Sequence, residues 1–128
     1  MFTGSAVDHI ITAMDRAFED GTGFTINALT GETFIPQQDC YVVGGVIPEL
    51  LVSQSSTTLD QIEEWYTLAS IVSSSPLVGG WMYQGIMHLD LVTVTTNVEQ
   101  ALILGRSWNQ ISVGALDTTG AFTELEVA

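Results

Sequence analysis

Arg16 and Arg106 are the only basic side chains in a 128-residue chain that carries fifteen carboxylates and no lysine. That imbalance constrains the fold before any element is assigned. Most carboxylates have no internal cation to pair with, and burying an unpaired charge is far costlier than leaving it in water. They belong on the surface, and apolar residues must build the core. The apolar fraction of 46% and the mean hydropathy of +0.34 are sufficient for that. A chain of this length is expected to fold as one domain, residues 1–128, without disulfide or metal staples. A disordered acidic tail would be poorer in hydrophobic residues.

The net charge of −13 comes from missing cations, not from added anions. Average usage, about 25% charged residues, predicts roughly sixteen acids and roughly sixteen bases at this length. The acids are present in ordinary number and the bases are not, which argues against a halophilic surface. A uniformly negative field repels phosphate backbones and anionic membranes, so direct nucleic-acid and membrane binding are both disfavoured. It attracts a basic protein surface and speeds that encounter at low salt. The same charge would also keep an apolar protein in solution with no partner at all.

Cys40 is the single cysteine, which excludes an internal disulfide and fits a reducing, cytoplasmic compartment. The N-terminal stretch "MFTGSAVDHIITAMDRAFEDG" has no basic n-region, and its apolar residues are periodic, unlike a signal peptide. No apolar run reaches the length of a membrane span.

Val7, Ile10, Ile11, Met14, Ala17 and Phe18 follow helical spacing and predict an amphipathic helix over 6–19, capped by Ser5 with Asp8 and stopped by Gly21 and Gly23. "GFTINALTGETFI" predicts a hairpin or turned strand at about 24–35, and "CYVVGGVI" a short strand closed by Pro48. After the polar run "SQSSTT", Thr58 with Gln61 caps a second helix. Its inner stripe is Leu59, Ile62, Trp65, Tyr66, Ala69 and Val72, and "SSSP" ends it. Two strands follow around a turn near Gln84–Gly85, with the β-branched run Val92–Thr96 strongly strand-prone. Thr96 with Glu99 caps a third helix, whose inner face is Val98, Ala101, Leu102, Gly105 and Trp108. "NQISVGALD" and "AFTELEV" are strands joined by the turn "DTTG". The order α β β α β β α β β predicts an α+β fold, a mostly antiparallel sheet with about three helices packed on one face.

Gly79-Gly80-Trp81, Asp90, the helix from Glu99 to Arg106, Asn109-Gln110, and Asp117 to Gly120 fall in a recurring order. Together they resemble a small uncharacterised domain of bacterial phages, plasmids and integrated elements, with the pattern "GGW…D…EAL.LGR..NQ.AI.D". The upstream "GFTINALTGE…CYVVGG" is similar to the segment that often precedes that domain. The resemblance covers most of residues 22–120 and implies a mobile-element accessory protein, with no assigned chemistry. Such domains usually keep several Lys and Arg, and this chain does not, so a shared binding partner does not follow.

Few constellations carry chemistry. His88 and Asp90 lie two apart in a strand and point to one face, as a metal pair or an acid–base couple would. A metal-assisted hydrolase built on them would need further ligands, and only His9 and Cys40 remain as soft donors. The Gly-Gly pairs at 44–45 and 79–80 belong to no phosphate-binding loop and read as strand-end permissiveness. Asp117 reads as a turn residue. Asn109 reads as the positive-φ residue that closes the third helix. Trp65, Trp81 and Trp108 read as core, with a surface anchor as the alternative for one of them.

The carboxylates suggest a role. Asp8, Asp15 and Glu19 fall at i, i+7 and i+11, about 10 and about 6 Å apart along the helix axis, comparable with successive phosphates. Asp60, Glu63 and Glu64 open the second helix. Rows of this kind, free of cations, would imitate a nucleic-acid backbone. The expectation is a non-enzymatic inhibitor from a phage or mobile element, needing no cofactor. It would dock on a basic nucleic-acid-binding complex of host defence, either anti-CRISPR or anti-restriction. The alternatives are a homodimeric structural or adaptor domain and the metal-assisted hydrolase.

Overall fold

The computed structural model describes residues 4–54, 59–72 and 77–127. The elements run α1 (Gly4–Asp20), β1 (Phe24–Asn27), β2 (Cys40–Val43), β3 (Leu50–Val52), α2 (Leu59–Val72), β4 (Leu77–Tyr83), β5 (Ile86–Leu91), β6 (Thr93–Thr95), α3 (Val98–Ser107), β7 (Ser112–Leu116) and β8 (Phe122–Glu126). The α+β class, the three helices and the antiparallel pairing are as the periodicity predicts. Each of the first two strand groups gains a short third member. The strands divide into two four-stranded sheets, β1-β4-β5-β3 and β6-β2-β7-β8.

Val92 is where the chain changes sheets. The β-branched run reads as one strand, but β5 ends at Leu91 and β6 begins at Thr93, in the other sheet. The Val92 N–H donates to the Leu77 carbonyl at 3.0 Å, and its side chain is buried with Cys40, Val42 and Leu116 between the sheets.

Helices cover the two outer faces. α1 lies on the first sheet with α2 packed beside it. Their inner residues, among them Val7, Ile10, Met14, Ile62, Trp65 and Ala69, meet Ile26, Val52, Val78, Met87, Leu89 and Leu91 in the main core. α3 covers the second sheet, where Ala101 meets Val43, Val113 and Val127. Gly105 belongs to that contact, because a Cβ there would stand 2.8 Å from Val127 and 2.9 Å from Val113.

Local chemistry sets the element ends, with some corrections. α1 begins at Gly4, so Ser5 lies within the helix and not at its cap. Thr58 and the "SSSP" segment lie outside the described residues. The cap of α3 is Asn97 and not Thr96: Asn97 Oδ1 accepts from the Gln100 N–H at 2.9 Å, and Thr95 Oγ1 donates to Gln100 Oε1 at 2.8 Å. Its other end matches the expectation. Asn109 has φ 56°, the Gln110 N–H reaches Gly105 O at 2.8 Å, and the Asn109 N–H reaches Arg106 O at 3.2 Å, a Schellman motif. Asp117 closes the last turn, with Oδ1 accepting from Thr119 and Ala121. Those bonds hold its carboxyl below the usual range.

Candidate functional site

The site grows from the β4–β5 hairpin. Gln84 (φ 51°) and Gly85 (φ 78°) form its two-residue turn, both with positive φ, as a tightly twisted hairpin requires. That turn sets the register: Trp81 faces His88, and Gly79 faces Asp90. Alternation then sends Val78, Gly80, Met87 and Leu89 into the core, and Gly79, Trp81, Tyr83, His88 and Asp90 to the opposite face. His88 and Asp90 do share a face, as their spacing predicts.

Trp81 is not a core residue. It is 43% exposed and stacks on His88, with ring centroids 4.2 Å apart and planes at 19°. Tyr83 stands edge-on to the same imidazole at 6.4 Å. β3 pairs with β5 and brings Glu49 alongside, where the His88 Nδ1–H donates to Glu49 Oε1 at 3.0 Å. Trp65 and Trp108 behave as expected. Trp65 is buried in α2 and donates its indole N–H to Pro48 O, and Trp108 packs partly buried beneath α3.

Asp90 is the one buried charged residue among the described residues, at 8% exposure, and its Oδ1 meets no hydrogen-bond donor there. Burial, with Glu49's charge adding to it, pushes its carboxyl up to about 6. His88 and hydrogen bonding from the Trp81 side chain pull in the opposite direction. Gly44 makes room for the carboxyl: a Cβ there would stand 2.7 Å from Asp90 Cγ.

The second sheet forms the facing wall. Phe122 and Glu124 lie two apart on β8, paired with Leu116 and Gly114 of β7. The Phe122 ring lies over Gly114, where a Cβ would collide with it. Between the walls is an open cleft of ≈750 Å³, lined by Trp81, Tyr83, His88, Asp90, Phe122 and Glu124 among others. Neither arginine lines it. A pocket of ≈120 Å³ beside α1 is lined by His9, Thr12, Arg16 and Thr22.

The Gly79–Gly80 pair differs from the strand-end expectation, while Gly44 and Gly45 follow the end of β2 as expected, Gly45 with φ 103°. Gly79 and Gly80 lie inside β4, where a Cβ on Gly80 would collide with the Phe24 ring and one on Gly79 would meet Val92 at 2.9 Å. Close approach, not end geometry, requires them.

The hydrolase ligand set is not assembled. His9 on α1 donates Nδ1–H to Ala28 O at 2.7 Å, and Cys40 is buried in the inter-sheet core, where burial first and Asp39 second raise its thiol pKa. Among the described residues no group of three or more His, Cys, Asp or Glu side chains is arranged to hold a metal ion.

Asp8, Asp15 and Glu19 are exposed on α1, and Asp60, Glu63 and Glu64 are exposed on α2. The two rows thus ride on neighbouring, mutually packed helices on the side of the first sheet away from the cleft. Among the described residues the only ion pair is His88–Glu49, so none of the six is in an ion pair there.

Sequence reasoning singled out His88 and Asp90 and missed Glu49, Tyr83, Phe122 and Glu124. The hairpin turn alone pairs 81 with 88, so the Trp81–His88 stack had a readable signal. Glu49, 39 residues from His88, had none.

The described features define a two-sheet α+β protein with an acidic, aromatic-lined cleft and a separate carboxylate-bearing helical layer. Compared with known protein families, curated proteins and solved structures, the chain matches none. No helix among the described residues is long and apolar enough to cross a membrane.

Proposed function

We propose that this is a non-catalytic binding protein of the bacterial cytoplasm whose acidic surface docks on a basic nucleic-acid-binding protein. It occupies the groove that DNA or RNA would otherwise fill. The observation that carries this reading is the α1–α2 layer: six exposed carboxylates on two adjoining helices, none in an ion pair among the described residues. A carboxylate row on a rigid helix presents negative charge at intervals near those of a phosphate backbone and loses little conformational freedom on binding. Its resemblance to domains of phages and mobile elements favours a host-defence target, a CRISPR effector or a restriction enzyme.

The test is protection of incoming DNA in cells that carry one such defence system. Wild-type protein restores transformation, and a variant with Asp8, Asp15, Glu19, Asp60, Glu63 and Glu64 all changed to amides does not. Binding to the purified effector is released by salt and competed by duplex DNA. Equal protection by the amide variant would overturn this reading.

A second reading, a homodimeric adaptor, is favoured by one observation. Leu68, Ile71 and Val72 are exposed along the C-terminal half of α2, Ile71 at 77%. A dimer in sedimentation equilibrium that dissociates on Ile71→Glu and ignores salt would support it.

A further inference from the structure

The inter-sheet cleft and the carboxylate rows lie on opposite sides of the first sheet, and the cleft has a chemistry of its own. Asp90 places a carboxylate at its floor, more than nine-tenths buried, with Oδ1 bonded to no donor among the described residues. A buried acceptor of this kind needs a donor, and a buried anion needs a cation. Neither arginine lines the cleft, and the nearest cationic group, the His88 imidazole, is already hydrogen-bonded to Glu49. Glu49 and Glu124 add negative charge from the two walls, while Trp81, Tyr83 and Phe122 supply aromatic surface, each about half exposed.

Carboxylate below and aromatic faces beside is the setting for a guanidinium. Its planar fork donates to a carboxylate while its weakly hydrated faces stack on rings. An ammonium is more strongly hydrated and cannot stack. The His88 imidazole backs one face of the indole at 4.2 Å and is itself tied to Glu49. Gly44 packs directly against the carboxyl, where any side chain would displace it.

We infer that the cleft seats an arginine side chain of a basic protein partner, with Asp90 as its carboxylate ligand and Trp81 and Phe122 as its stacking walls. This rests on the reading of a basic partner and adds a specific anchor to a surface that otherwise recognises charge alone.

The test uses the isolated protein and a singly charged probe, N-acetyl-arginine methylamide, against the lysine equivalent at constant ionic strength. Two-dimensional NMR follows the three indole N–H signals, with Trp65 and Trp108 as internal controls of the fold. The arginine probe is expected to shift Trp81 saturably, while the lysine probe binds more weakly. Asp90→Asn, which keeps the shape of the side chain, weakens binding roughly tenfold or more through loss of a charged hydrogen bond. Phe122→Leu weakens it independently, so the result does not depend on one variant folding. No saturable Trp81 shift, equal response to both probes, or unchanged binding by Asp90→Asn would overturn the assignment. The six-amide helix variant separates the two readings. It should keep the arginine response while losing capture of the defence complex. Retained capture with a lost cleft response would sink only the anchor.

Discussion

Trp81 and His88 sit directly opposite each other across the β4–β5 ladder, their rings stacked at 4.2 Å, with Glu49 accepting from the imidazole Nδ1 at 3.0 Å. A cross-strand aromatic contact of this kind contributes about 1 kcal/mol beyond its buried area. His88→Ala removes the stack and leaves the indole freer to move. Urea denaturation is expected to show a loss of about 1–2 kcal/mol, with a red-shifted, more quenchable Trp81 emission. An unchanged emission spectrum would mean that the stack does not hold the indole.

Asp90 makes stability depend on pH in an unusual direction. Its folded carboxyl is pushed up to about 6 from an ordinary 3.8, chiefly by burial and next by Glu49. Between those values the native state keeps a proton that the unfolded chain has lost, so stability falls as pH rises across that window. Below 3.8 both states are protonated and there is no penalty. Above 6 the penalty is complete, about 3 kcal/mol at 1.36 kcal/mol per unit. The other ionisable groups facing the site, Glu49, His88 and Glu124, are common to wild type and Asp90→Asn. The difference between the two proteins therefore isolates Asp90: the variant should gain stability relative to wild type from pH 4 to pH 6. A parallel pair of curves would refute the burial argument.

The parts that periodicity and turn chemistry control were readable in advance: α1, the Gln84–Gly85 hairpin and the Asn109 cap. Each depends on contacts within a few residues. The division into two sheets was not readable, because alternation reports which face a residue takes and not which sheet its strand joins. The run from Val92 to Thr96 is uniformly β-branched, so nothing in it marks the crossing at Val92. Trp81 looked like core for a related reason: a tryptophan beside Gly79, Gly80 and Met82 has the company of a buried residue. Only the facing of Trp81 with His88 puts it on the open side. The acidic rows were legible as helix faces, and Asp90 as a member of a polar sheet face. Its burial depends on Gly44, which approaches from the segment just after β2.

Asn109 carries a local prediction with a built-in control. At φ 56° its backbone is left-handed, where a Cβ-bearing residue without a short polar side chain is strained. Asn109→Ala should lose about 1 kcal/mol of stability, while Asn109→Gly should be neutral or stabilising. Thermal melts of the pair measure the difference. Equal melting temperatures would indicate that the Schellman bonds to Gly105 and Arg106 do not set the end of α3.

Net charge predicts opposite salt effects on folding and on binding. At −13 with two cations, the compact state is self-repelling, and screening relieves that repulsion as the Debye length shrinks to about 10 Å at 0.1 M. The melting temperature should therefore rise as salt increases from low ionic strength, whereas capture of a basic partner weakens over the same range. Changing the six helix carboxylates to amides takes the net charge from −13 to −7, because each change removes one negative charge. That variant should melt at a higher temperature in low salt, respond less to added salt, and bind its partner worst. A variant that is both less stable and less able to bind would show that these carboxylates act through folding and not through a docking surface.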